Sequence, residues 1–290
     1  MSSTPSAPVE LLQMDFEGVE AQDYDLPSMS TLLNQLVKES GVDSGQLAKV
    51  LVSQNYVGSV LKPCLDDADM DDDEQPENQS VFSIASIINL SERREPVVKD
   101  IKNLIRKFVR NPDQKVEKDR GVFQAVMNEE ASSDVQLGLL IKERILNMPV
   151  DLLHPSLQSL MYRYNHCNSI EILEIQYSRF AIHQQVCLRF FCYDRRDIET
   201  AVEKKMPYKF THLVYWSKMY VDKESAQHYD VEDAWFDENA ISHFSYPLKH
   251  ADTVMVDSEE ATAGAQPIRR IYLIDYGKMD NFLDYLQTVL

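Results

Sequence analysis

The chain has 290 residues, 44% hydrophobic and 26% charged, enough for the core of one large domain or two small ones. Its 47 Asp and Glu against 29 Lys and Arg leave a net charge of −18, which argues against a general nucleic-acid binder, because phosphate contacts need clustered cations. Such a chain suits basic protein partners, whose encounter it accelerates, although charge kept for solubility explains the balance equally well.

The first ten residues, MSSTPSAPVE, hold no basic region followed by an apolar run, so no signal peptide is expected. No apolar run approaches the roughly 20 residues that a membrane span needs. Cys64, Cys167, Cys187 and Cys192 therefore read as reduced thiols of the cytosol or nucleus.

Residues 1–12 are expected to be a loose tail, followed by a short strand at Met14–Gly18 with Met14 and Phe16 on one face. Met29, Leu32, Leu33, Leu36 and Val37 predict a helix over Ser28–Glu39, capped by Ser28 or Ser30. Asp43 or Ser44 caps a second helix carrying Leu47, Val50 and Leu51, and Tyr56–Leu61 reads as a strand entered through Gly58. Residues 64–79 then form an acidic loop in which Asp66, Asp67, Asp69, Asp71, Asp72, Asp73, Glu74 and Glu77 occur with no Lys or Arg. Such a segment repels itself and cannot bury enough surface to order. A calcium loop of the EF-hand type would need a central Gly that is missing here.

Val81–Leu90 (VFSIASIINL) follows, with apolar side chains on both parities, and predicts a strand covered on both faces. Pro96 opens a helix with Val98, Ile101, Ile105 and Phe108 inward and Lys99, Lys102, Arg106 and Arg110 as a basic stripe, ended by Asn111-Pro112. Val116–Met127 is expected to be helical. Val135–Lys142 predicts a second apolar strand running through Glu143-Arg144, a pair that reads as a charged strand end, to Ile145–Met148, where Pro149 stops it, and Asp151–Tyr164 returns to helix. Arg163–Tyr193 is dense in aromatic, Cys and His residues, and Arg195–Lys205 resembles a surface helix. Tyr208–Val221 predicts an aromatic strand, Asp222–Asn239 an acidic segment anchored by Trp235-Phe236, and Ile241–Tyr246 and Ile268–Asp275 two more strands. Val256–Gln266 reads as a loop and Met279–Val289 as a terminal helix. The ordering implies an α/β (α+β) domain, a single mixed central sheet flanked by helices.

Chemical motifs are sparse. None of the eight Gly forms GxGxxG, a Walker loop or a nucleophile elbow. His166, Cys167, His183, Cys187 and Cys192 lack any CxxC pair, which leaves zinc weaker than reduced thiols in or near a core.

The pieces MDFEG (14–18), TLLNQL (31–36), SQNYVGSVLK (53–62), FSIASIINLSER (82–93), LGLLIKERILNMPVDLLHP (137–155), WFDENAISHFSY (235–246) and RRIYLIDYGKMDNFLDYL (269–286) occur in the order in which they resemble the BCCIP family. That family takes its name from interaction with the breast cancer type two susceptibility protein and with a cyclin-dependent kinase inhibitor. The resemblance implies one domain over residues 13–290, with a fold similar to that of GCN5-related acetyltransferases but without their activity or any cofactor. It implies a protein of the nucleus and also the cytoplasm, an adaptor or chaperone for basic clients. A large-subunit ribosomal protein is the implied client, with roles in ribosome biogenesis, nuclear export, the cell cycle and recombination repair. The acidic loop, and secondarily Asp222–Glu238, are the surfaces such a client would meet. The alternative is an acetyltransferase-like enzyme that keeps acetyl-coenzyme A through an atypical loop. Residues 161–194 have no counterpart in the resemblance and are read as an insertion, lineage-specific or retained intron sequence.

Overall fold

The computed structural model describes residues 16–55, 57–64, 80–129, 135–145, 148, 152–166, 179–182, 186–190, 210–222, 225–250 and 265–289. The eight carboxylates between Asp66 and Glu77, the tail and the expected helix at Arg195–Lys205 lie outside these residues.

The described strands are β1 (Phe16–Val19), β2 (Ser59–Pro63), β3 (Ser83–Asn89), β4 (Val116–Lys118), β5 (Leu137–Arg144), β6 (Arg179–Ile182), β7 (Val186–Phe190), β8 (His212–Asp222), β9 (Ser225–His228), β10 (Ser242–Pro247) and β11 (Gln266–Asp275). They join one mixed sheet in the order β4-β10-β11-β8-β5-β3-β2-β1-β7-β6, and β9 folds back on β8. Two neighbouring pairs are parallel, β5 with β8 and β1 with β7, and the rest are antiparallel. The expected single mixed sheet flanked by helices is what the chain forms.

β3 occupies the middle because all seven of its residues are buried. Ile84 and Ile88 pack into one core while Ala85 and Ile87 pack into the other, which a run apolar on both parities allows. The first core is covered by α1 (Leu26–Leu36), α2 (Ser44–Ser53), α3 (Pro96–Arg110) and α4 (Arg120–Glu129). The second is covered by α5 (Leu153–His166), α6 (Ala234–Asn239) and α7 (Met279–Val289).

Local chemistry sets the helix ends. Asp43 caps α2 by accepting the Gln46 N–H at 3.0 Å. α1 instead starts at Leu26 with Pro27 in its first turn, which frees Ser28 to accept the Val81 N–H at 2.9 Å. α3 starts on Pro96, and its last carbonyls receive Arg120, which donates to Val109 O at 3.1 Å and Asn111 O at 2.6 Å. The expected helix over Val116–Met127 is corrected at its start. Val116–Lys118 is strand β4, paired to β10, and Lys118 turns the chain with φ 61° before Asp119 caps α4 through the Val122 N–H at 3.0 Å. Within the stretch read as an insertion, α5 continues to His166 and β6 and β7 form an antiparallel pair beside β1.

Candidate functional site

β5 and β8 run parallel and pair over four residues, Leu137–Leu140 with His212–Tyr215. They then part. β5 continues along β3 to Arg144, and β8 continues along β11 to Asp222. A fork of this kind exposes strand edges that an extended, amide-bearing ligand could pair with. Here the chain fills the fork itself. β9 pairs with Met219–Asp222 of β8, and the Tyr229 N–H extends the ladder to Lys218 O at 3.3 Å. A 3-10 turn at Val231–Asp233 then leads into α6.

The turn is held by charge. Lys142, two residues beyond the last β5–β8 pair, points to the second core side and donates from Nζ to Glu232 Oε1 and to Asp233 Oδ1, both at 2.7 Å. Arg144 Nη2 reaches Asp230 Oδ1 at 2.8 Å and a Glu232 oxygen at 3.2 Å. Tyr215 and Ser217 of β8 also donate to Asp233, at 2.7 Å and 2.6 Å on Oδ2. Glu232 and Asp233 are wholly buried. On the opposite face Lys218 of β8 pairs with buried Glu143 of β5, spanning the fork directly. The two strands are thus bridged directly by an ion pair on one face, and on the other through Asp233, which pairs with Lys142 of β5 and accepts from Tyr215 and Ser217 of β8.

These environments shift the groups strongly. Burial lowers the Lys142 ammonium, but Asp233 and Glu232 outweigh it and raise it above its ordinary 10.5. Burial raises Asp233, with Asp230 and Glu232 adding to the effect and Lys142 opposing it. Burial, then the Asp233 charge, lifts the Tyr215 phenol well above 10. Glu143 is raised by burial against the pull of Lys218. Burial also raises Asp230, but Lys142, Lys218 and Arg144 outweigh it and hold that carboxyl below the usual range.

A second hub sits at the other end of this segment. Asp237 of α6 accepts from Arg270 Nη1 at 2.7 Å and from the Tyr272 hydroxyl at 2.6 Å, and meets His228 Nε2 at 2.8 Å. Lys118 and Lys278 donate to the last carbonyls of α6, Lys118 to Ala240 O at 2.9 Å and Lys278 to Asn239 O at 2.8 Å. Ser217, His228 and Asp237 lie in a line that resembles a nucleophile, base and orienting acid. Ser217 is 1% exposed in mid-strand, and its one proton has Asp233 at 2.6 Å as a nearer acceptor than His228 Nδ1 at 3.3 Å. A substrate has no route to that hydroxyl, so the line is a structural tether.

An acetyl-coenzyme A site at the fork would need a free β8 edge and a phosphate-cradling turn. The inner edge of β8 is taken by β9, and no Gly lies between Gly138 and Gly264 to shape a phosphate-cradling turn after β5. The described residues at the fork do not fit the cofactor. Among the described residues, no group of three or more His, Cys, Asp or Glu is placed to hold a metal ion, and no helix is long and apolar enough to cross a membrane.

The expected client surface at Asp222–Glu238 is corrected for three of its carboxylates. Asp230, Glu232 and Asp233 turn toward Lys142 and Arg144 because β5 carries those cations past the fork, and only a counter-charge makes their burial tolerable. The Trp235-Phe236 anchor packs as expected into the second core. Lys142 and Glu143 escaped sequence reasoning as site residues. Their signal was three consecutive charges ending an otherwise apolar strand, LGLLIKER, which needs buried partners if the strand is central.

Fold and site together define a mixed α/β protein in which the β5–β8 fork is occupied by the chain's own acidic turn. The profile of the BCCIP family matches residues 11–189, and the chain belongs to that family. It is similar to a Drosophila melanogaster protein named as a BCCIP homolog, 26% identical over 97% of this chain and 86% of that one. A bovine relative named BRCA2 and CDKN1A-interacting protein is 22% identical over 97% of this chain and 84% of its own length. The fission yeast protein bcp1 is 25% identical over 74% of this chain and 60% of its own. The crystal structure of BCP1 from Saccharomyces cerevisiae shares the fold, with a TM-score of 0.56 at 14% identity over 96% of this chain and 89% of that one.

Proposed function

We propose that the chain is a non-catalytic adaptor or chaperone of the nucleus and cytoplasm that binds basic client proteins. The observation that carries this reading is the self-filled fork, in which β9 and the 3-10 turn occupy the gap between β5 and β8 that a ligand would otherwise enter. The acidic balance supplies the attraction. Eight carboxylates fall within residues 66–77 without a single cation, in a chain of net charge −18. A large-subunit ribosomal protein, acting in ribosome biogenesis and nuclear export, is the client that the family resemblance implies, and the charge is compatible with it. Roles in the cell cycle and in recombination repair are proposed on the name of the bovine relative. The test is co-purification from a nuclear extract at low and high salt. A basic ribosomal protein recovered at low salt and lost at high salt supports the reading, and its absence at low salt overturns it.

The competing reading is an acetyltransferase-like enzyme that keeps acetyl-coenzyme A. A bound ligand at 100 times its Kd would stabilise the chain by about 2.7 kcal/mol, so a thermal melt with and without acetyl-coenzyme A separates the two. No shift is expected.

A further inference from the structure

The segment from β9 to the 3-10 turn differs from everything around it in how it is held. Ser225, Ala226 and Gln227 are exposed, and Val231 is 65% exposed, so its aliphatic side chains stay out of both cores. What the segment sends inward is polar. Asp230, Glu232 and Asp233 meet Lys142 and Arg144 of β5 and the hydroxyls of β8, and His228 meets Asp237 of α6. The next two residues are the opposite case, since Trp235 and Phe236 are locked among aromatic rings of the second core. An anchor of apolar packing therefore begins where the charged segment ends.

We propose that residues 225–233 form a charge-held strap that closes the β5–β8 fork and opens as one unit while the sheet beneath and α6 beyond it stay folded. Segments with few buried apolar contacts open locally at lower cost than core strands. Here the buried contacts that resist opening are led by three carboxylates, and the rest lie nearer the rim: the β8–β9 ladder, a Tyr229–Tyr220 ring contact, the Tyr220 hydroxyl on Gln227 and His228 on Asp237. Opening frees the β8 edge at Met219–Asp222 together with Lys142 and Arg144, so the released fork is a cationic strand slot inside an acidic protein. The strap is its intramolecular occupant and shields it. The inference goes beyond the client-binding reading and does not depend on it.

The experiment is amide hydrogen exchange on the full chain, comparing the native protein with a Glu232→Gln, Asp233→Asn double variant. Exchange over residues 225–233 is expected to accelerate roughly ten-fold or more, with β3 and β11 unchanged. A milder variant, Arg144→Gln, removes one partner nearer the rim, where Arg144 is 13% exposed, and is expected to give a smaller acceleration in the same segment. Equal acceleration in β3 and β11 would show that the charges belong to the global core, and an unchanged strap would show that they do not hold it. Either result overturns the proposal.

Discussion

Replacing Lys142 by Met keeps the length of the side chain and removes its charge. The native ammonium is 3% exposed and sits 2.7 Å from Glu232 and from Asp233, both wholly buried. Breaking a buried ion pair from one side costs about 3–5 kcal/mol, because the partner is left charged in a low-dielectric site. Asp233 keeps Tyr215 and Ser217 as donors and Glu232 keeps Arg144, which places the loss near the low end, about 3 kcal/mol. For a chain of this size that corresponds to a fall in Tm of roughly 6–12 °C. The pH dependence has a definite sign. Asp233 is already raised above 3.8 by burial against the opposing Lys142, and removing that cation raises it further. A carboxyl raised in the folded state favours folding most below its unfolded value and loses that advantage as pH climbs through the folded one. The deficit of the variant is therefore largest at neutral pH and shrinks as pH falls toward 3.8. Urea unfolding followed by circular dichroism at pH 7 and pH 5 measures both effects. The double variant Lys142→Met, Asp233→Leu removes the stranded charge and is expected to recover part of the loss. A loss under about 1 kcal/mol at pH 7, or a deficit that grows on acidification, would refute the reasoning.

Gly58→Ala places a Cβ 2.5 Å from Ala85 O and 2.6 Å from Ser86 Cβ, so β2 and β3 must separate; a loss of about 1–3 kcal/mol in chemical denaturation is expected. His243 is held near pKa 4 by burial and by the neighbouring Arg270, against an ordinary 6.5, so its contribution is complete above 6.5 and lost as pH falls toward 4. His243→Phe is expected to flatten the stability profile across that window, and an NMR titration of the native ring reads the midpoint directly. Asp43→Ala removes the cap on α2 and is expected to cost about 1 kcal/mol in a thermal melt. On the proposed function, changing the eight carboxylates of residues 66–77 to amides weakens low-salt recovery of a basic client while leaving Tm within about 2 °C.

The elements written in side-chain period were readable in advance. β3, α2, α3, β8, β11 and α7 carry strong apolar patterns, and each falls within a few residues of its expected place. β4 was lost to a helix because Val116–Lys118 is too short to show a period, and its strand character comes from pairing with β10. β9 was invisible for a related reason. Ser225–His228 has no apolar face at all, and it is a strand only because β8 offers it an edge left open by the departure of β5. The fork followed the same logic. Its charges are visible as LGLLIKER and as the run of carboxylates at 230–233, but their pairing spans about 90 residues of chain and depends on a crossover between parallel strands. Local sequence carries no information on such a contact.

Two groups of charged residues in this chain act by different physics. In the fork, Lys142 and Arg144 oppose Asp230, Glu232 and Asp233, and Lys218 opposes Glu143, so the cluster is close to neutral and adds little to the net charge of −18. Its effects are short-ranged and, being buried, weakly screened by salt. On the proposed function, the eight carboxylates at 66–77, with no Lys or Arg among them in sequence, set a field that a basic partner meets before contact and that fades over a Debye length of about 8 Å at physiological salt. The two groups are therefore separable by mutation. Lys142→Met changes stability and leaves the salt dependence of client association untouched, whereas neutralising 66–77 changes the salt dependence and leaves stability untouched. If both variants moved both observables together, the fork would have to be part of the client-binding surface, and the strap would be its recognition element rather than its closure.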